Sequence, residues 1–121
     1  MNKIPKRFIR FWIGNKTIPA KFDEWWQEFK NMHPDYEFIT IRDFENIDVP
    51  NQIKPLLRDA SSCAGVSDIG RILALYQLGG IYVDTDVMPL KSFDELTQTN
   101  KVFLAKRSGK SFESAIIGSP K

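Results

Sequence analysis

The sequence is poor in the groups that build several kinds of site. It has one cysteine, Cys63, among 121 residues, so no internal disulfide can form and a thiolate metal cluster is excluded. It has one histidine, His33, which has no partner at metal-ligand spacing and reads as a loop residue behind a helix. The formal net charge is only +2, without the basic excess of a nucleic-acid binder. No apolar run approaches the ~20 residues that span a bilayer. Residues 1–10 have no long apolar stretch after their positive charges and do not read as a secretory leader. Internal repeats and low-complexity segments are missing too. These absences point to a reducing, cytoplasmic setting. What is present, 42% hydrophobic and 26% charged residues, suits a single folded domain over residues 1–121.

The most informative stretch is Gly79-Gly80-Ile81-Tyr82-Val83-Asp84-Thr85-Asp86. It reads as a glycine turn, a buried strand of β-formers, and two acids at the strand's far end. Asp84 and Asp86 are two apart, so a regular strand would send both carboxylates from one face. Like charges so placed call for a cation, and hard oxygen donors suit Mg²⁺ or Mn²⁺. The plainer reading is a loop with two solvated aspartates.

The preceding chain alternates strand and helix. Residues 6–14, rich in Phe, Ile and Trp, read as a first strand ended by Gly14 and Asn15. Open α/β sheets bind ligands at the carboxyl ends of their strands, where Trp12 falls. Its indole is either a stacking platform for a flat ring or a core side chain. Phe22, Trp25, Trp26 and Phe29 follow helical spacing as one buried stripe. Residues 36–41 alternate as a second strand, so strand, helix and strand open a parallel α/β layer. Residues 42–55 read as a polar connection, with helical character from Leu56 to Ala60. Residues 67–78 read as the clearest helix, with Ile69, Ile72, Leu73 and Tyr76 as its apolar stripe, Ser67 as cap and Gly79 as left-handed stop. An earlier start near Ser62 fits as well. Asp68 and Arg71 share a face, either as a surface pair or aimed into the site beside Asp84 and Asp86. After the acids, residues 87–90 read as a short strand continuation into a proline turn, and residues 92–96 as a capped helical turn. Residues 101–106 read as a strand, 107–110 as a turn, and 112–117 as mixed and apolar.

Taken in order, Ser67-Asp68-x-x-Arg71, the helix, Gly79 to Asp86 and Pro89-Leu90 resemble the DXD sugar-binding region of retaining glycosyltransferases with the GT-A fold. This is the capsular, lipopolysaccharide and initiating-mannosyltransferase-like group. Ile4-Pro5-Lys6, Phe11-Trp12-Ile13-Gly14, His33-Pro34 and Tyr36-Glu37 extend the likeness from Ile4 to about Leu90. The resemblance implies a Rossmann-like α/β fold that binds a nucleotide-diphosphate sugar, a UDP- or GDP-hexose. It implies that Trp12 stacks on the nucleobase, that Asp68 and Arg71 hold the sugar, and that Tyr82 sits beside the donor. It further implies that Asp84 contacts ribose or sugar and helps hold Mn²⁺ or Mg²⁺, and that Asp86 binds the metal directly. A glycan or lipid-linked acceptor follows, with peripheral contact at the inner face of the membrane and a role in bacterial surface-polysaccharide synthesis. No residue is assignable as a general base. Family domains run considerably longer, so the chain corresponds to their N-terminal portion.

Other chemistries fit less well. A haloacid-dehalogenase-type phosphatase needs Thr or Val where Met88 stands, and most of its fold follows the aspartates. An EF-hand loop starting at Asp84 needs Asp or Asn at Met88 and Gly at Pro89. A non-catalytic nucleotide-sugar binder shares every feature of the transferase and is separated from it by turnover.

Overall fold

Phe8-Ile9-Arg10-Phe11 alternates side chains between two apolar layers, which places its strand in the middle of the molecule. In the computed structural model, residues 3–45, 47–59, 63–107 and 111–121 are described, without the side chains of residues 59, 63–65, 67, 105–107 and 111–114. The elements run β1 (Arg7–Phe11), α1 (Ala20–Met32), β2 (Glu37–Ile41), α2 (Lys54–Asp59), α3 (Cys63–Leu78), β3 (Gly80–Val83), a 3₁₀ turn (Leu96–Gln98), β4 (Phe103–Arg107) and β5 (Ser111–Ser119). One sheet has the order β2-β1-β3-β5-β4. β2 and β3 lie parallel to β1 on either side. β5 pairs antiparallel with β3, and β4 with β5.

One layer packs Phe8, Ile81 and Val83 against Trp26 and Phe29 of α1. The other packs Ile9, Phe11 and Tyr82 against Ala74 and Leu75 of α3. The chain therefore passes from β1 through α1 to β2 on one side, then back across β1 through α3 to β3 on the other. That is the reversal beside which doubly wound sheets open a crevice.

Several expectations change in the structure. In α1, Trp26 and Phe29 are buried, but Phe22 and Trp25 are only half-buried and stack on each other with centroids 5.6 Å apart. The helical stripe thus splits between core and cavity. α3 begins at Cys63, the earlier of the two starts, and the side chain of Ser67 lies outside the described residues. Its buried face is Gly70, Arg71, Ala74 and Leu75, while Ile72 and Tyr76 are 58% and 83% exposed. The stripe expected over Ile69, Ile72, Leu73 and Tyr76 is rotated, because Gly70 sets the close approach to the sheet. A Cβ there would lie 2.6 Å from Phe11 Cε2 and 2.9 Å from Phe44 Cζ. Residues 87–90 form no strand, and the chain turns at Thr85 and Asp86 instead. β5, read only as mixed and apolar, is the longest strand at nine residues. The expected turn at 107–110 falls mainly on residues outside the description.

Gly79 does stop α3, with φ +69° and its N–H donating to Leu75 O at 2.9 Å. His33 lies just past α1, as expected of a loop residue behind the helix, but it is fully buried. Its Nδ1 donates to Phe29 O at 2.8 Å and its Nε2 accepts the Phe93 N–H at 2.9 Å, which ties the end of α1 to the segment behind the acidic turn. Because a backbone N–H must find an acceptor at Nε2, the ring is the neutral Nδ1–H tautomer.

Candidate functional site

The carboxyl ends of β1 and β3 lie side by side, and a cavity of about 480 Å³ opens there, within the range of small-molecule sites. Its apolar wall comes from the end of β1, with Phe11, Trp12 and Ile13, and from Phe22 in the first turn of α1. Its acidic wall comes from Asp84 and Asp86 with Thr85 between them, and Arg71 and Tyr82 form the floor. Lys16, on the loop after β1, is the remaining cation of the lining.

The acidic wall is not built as a strand would build it. β3 ends at Val83, and Asp84 to Val87 form a turn closed by the Val87 N–H donating to Asp84 O at 3.1 Å. The Asp84 N–H donates to Ala115 O at 2.8 Å, and the Thr85 hydroxyl donates to Phe11 O at 2.9 Å. The turn is thus pinned between β5 and β1. Both carboxylates border one cavity, by turn geometry rather than by strand alternation.

Asp84 is held from below. The Tyr82 hydroxyl donates to its Oδ1 at 2.5 Å, and Arg71 Nη2 approaches the same oxygen at 3.4 Å. The Arg71 guanidinium lies 4.5 Å from the Tyr82 ring centroid and pairs with Asp68 at 2.7 Å. Arg71 is buried while the Asp68 side chain is 66% exposed. Asp68 therefore reaches the cavity only through Arg71, which joins the two readings of that pair. Burial pushes the Asp84 carboxyl above the ordinary carboxylate value, and the Asp86 and Asp68 charges push it further. The Tyr82 hydrogen bond and Arg71 oppose them. Burial first, and then the hydrogen bond and charge of Asp84, hold the Tyr82 phenol well above its usual value. Tyr82 is a neutral donor rather than a base.

Trp12 is half-buried, with its indole edge-on to Phe22 at 6.3 Å and its Nε1 donating to Lys16 O at 3.1 Å. It lines the cavity and is not among the buried core residues. Phe22, Lys16 and Thr85 were not singled out from the sequence. Phe22 carried a signal, standing first in the α1 stripe, one turn ahead of the residues that reach the core. A lysine in a loop carries none.

Asp84 and Asp86 offer hard oxygen donors. Among the described residues no group of three or more His, Cys, Asp or Glu converges on one point. Such a pair fits Mg²⁺ or Mn²⁺ with most of its shell left to substrate and water oxygens, and does not fit a fully caged ion.

Residues 19–103 match the family described as "Glycosyltransferase sugar-binding region containing DXD motif". The match starts after Trp12 and runs past Leu90, so the place of Trp12 rests on the cavity itself. The chain is 25% identical over 114 residues to the initiation-specific alpha-1,6-mannosyltransferase of Candida albicans, covering 86% of this chain and 30% of that protein. The solved structure of the PaToxG glycosyltransferase superposes with a TM-score of 0.80 at 23% identity, over 99% of this chain and 56% of that one. The likeness to that structure shows a shared glycosyltransferase fold. The chain spans under a third of the one relative and just over half of the other. With more than half its length matched and the acidic turn at the mouth of the crevice, the chain belongs to the DXD-containing sugar-binding family of glycosyltransferases.

Proposed function

We propose that this chain is the donor-binding, N-terminal portion of a metal-dependent hexosyltransferase of the retaining, GT-A class. The observation that carries the reading is a single cavity with an aromatic wall on one side and an acid pair on the other. A nucleotide-diphosphate sugar, a UDP- or GDP-hexose, has the matching order of parts: flat base, ribose, diphosphate, hydroxyl-rich ring. Trp12 and Phe22 take the base by stacking. Asp84 and Asp86 hold the divalent ion that accompanies the diphosphate. When bound, that ion neutralises the charge growing on the departing diphosphate as a Lewis acid. Arg71, with Asp68 behind it, and Asp84 present donors and acceptors to sugar hydroxyls.

Among the described residues that line the cavity, no side chain suits a base toward an acceptor. The carboxylates are committed to the ion, and Tyr82 keeps its proton. Retention with the departing diphosphate taking the acceptor's proton needs no such base, which is why the retaining class is preferred. The acceptor we assign is a glycan or lipid-linked glycan of the kind assembled in bacterial surface-polysaccharide synthesis, met on the cytoplasmic side. No helix among the described residues is long and apolar enough to cross a membrane, and the contact with lipid-linked acceptors that we propose is peripheral. A donor-binding chain without turnover is the second reading, favoured by the share of the relatives it spans.

A thermal-shift screen of UDP- and GDP-sugars, with and without Mn²⁺, tests the proposal. A rise in Tm that requires both ligands supports it, since a ligand that binds only the folded state stabilises it. No rise with any donor in saturating Mn²⁺ overturns it. Release of sugar to an acceptor or to water then separates enzyme from binder.

A further inference from the structure

Arg42 follows β2 directly and lies outside the cavity lining, yet it organises the loop that carries Trp12 and Lys16. Its Nε and Nη2 both donate to Gly14 O, at 3.1 and 2.8 Å, and Nη2 also donates to Lys16 O at 2.6 Å. Gly14 returns a backbone bond, its N–H donating to Arg42 O at 3.2 Å. The same Lys16 carbonyl accepts the Trp12 indole N–H. Two donors therefore converge on one oxygen, a guanidinium from the end of β2 and an indole from the end of β1. Gly14 makes the fold-back possible, with φ +104°, a backbone region that side-chain-bearing residues avoid.

A tryptophan at a strand end is free to rotate about its side-chain torsions unless its edge is held. Here the edge is held by a carbonyl that would otherwise sit on a free loop. A planar fork with several fixed donors can grip two carbonyls at once, which a lysine ammonium cannot do with the same directionality. Among the described residues Arg42 has no carboxylate partner, so its donors are spent on the loop. We infer that Arg42 is a positioning residue: by clamping the Gly14 and Lys16 carbonyls it locks the plane of Trp12 into the cavity, ready to receive a nucleobase. The indole N–H is consumed inside the protein, so Trp12 meets its ligand through its π face alone. The clamp also fixes the backbone that presents Lys16 to the cavity lining.

This inference rests on the donor-binding reading above, and its test keeps the two apart. Arg42→Gln and the milder Arg42→Lys are compared with the wild-type chain in three measurements: hydrogen exchange of the Trp12 indole N–H by NMR, affinity for free UDP and GDP, and affinity for Mn²⁺ alone. The expected result for Arg42→Gln is faster exchange at Trp12 with the buried Trp26 indole unchanged. Nucleotide binding should weaken by about tenfold, the low end of what losing a supporting residue costs at a site it orients. Mn²⁺ affinity should stay at the wild-type value. Arg42→Lys should fall between, and it carries the test if Arg42→Gln does not fold. Wild-type exchange and wild-type nucleotide affinity in both variants would overturn the positioning role alone. A wild-type chain with no affinity for any nucleotide would remove the donor-binding reading, and this one with it.

Discussion

The Tyr82 hydroxyl and Asp84 share a hydrogen bond of 2.5 Å, although the two residues lie on opposite sides of the end of β3. Tyr82 is the last strand residue facing α3, and Asp84 is the first residue of the turn that forms the acidic wall. The bond carries strand geometry into the turn and holds one carboxylate oxygen in place. Tyr82→Phe keeps the ring beneath Arg71 but removes this donor, which favours the ionised carboxylate. The Asp84 carboxyl should rise still further, and the pH at which Mn²⁺ binding is half lost should move up. Mn²⁺ titrations by electron paramagnetic resonance at a series of pH values check this.

The raised Asp84 carboxyl also sets a sign for stability in the absence of metal. Between its unfolded value of 3.8 and its higher folded value, the folded chain holds a proton that the unfolded chain has released. Stability of the metal-free protein therefore falls as pH rises through that window. Asp84→Asn should flatten this part of the profile. Urea unfolding across mildly acidic pH, with chelator present, measures it.

Tyr36 gives a second pH dependence, at the alkaline end. Its hydroxyl donates to Asp94 at 2.9 Å and lies 3.2 Å from the Thr97 hydroxyl, and burial pushes it from 10.0 up to about 12. The folded state keeps the phenol proton where the unfolded state has lost it. The contribution is complete below pH 10 and is lost as pH climbs toward 12. Tyr36→Phe should remove that part of the alkaline slope in a Tm-against-pH series.

His33 tests the seam between α1 and the segment behind the acidic turn. Replacing it with Ala leaves the Phe93 N–H without an acceptor and opens a hole among Phe8, Phe29, Tyr36 and Phe93. The cost should be about 3 kcal/mol, combining a buried unpaired donor with a cavity. Equilibrium unfolding in urea reads it directly.

Much of this arrangement was legible because its residue types are restrictive. Gly79 could stop α3 only in a left-handed turn, and β1 and β2 showed themselves by runs of β-formers. Trp12, Asp84 and Asp86 fell at strand ends, where α/β sheets place ligands. What stayed hidden depends on contacts between distant segments. The face of α3 was misjudged because Gly70, which has no side chain to score, decides how closely the helix approaches Phe11. β5 escaped because its apolar residues are mixed with Ser and Gly, and only pairing with β3 makes it a strand. Arg42 looks like any loop cation until its donors are seen on Gly14 and Lys16. His33 reads only as a loop residue behind a helix, because the aromatic cluster that closes over it comes from distant segments.

Gly70→Ala follows from the misjudged face. The added methyl meets the Phe11 and Phe44 rings, so those rings or α3 must shift, at about 1–3 kcal/mol. Arg71, the next residue, moves with the helix. Stability in urea should drop, and donor affinity in the presence of Mn²⁺ should weaken with it.

The central claim is that one divalent ion joins Asp84 and Asp86 to the diphosphate of a sugar nucleotide whose base lies on Trp12. Crystals of the chain soaked with Mn²⁺ and the donor found by thermal shift, measured at the manganese absorption edge, test it most directly. The account predicts an anomalous peak within coordination distance of both carboxylates, beside diphosphate density, with the base against the indole face. A peak elsewhere, or a crevice closed by repacked side chains with the nucleotide bound at another surface, would contradict it.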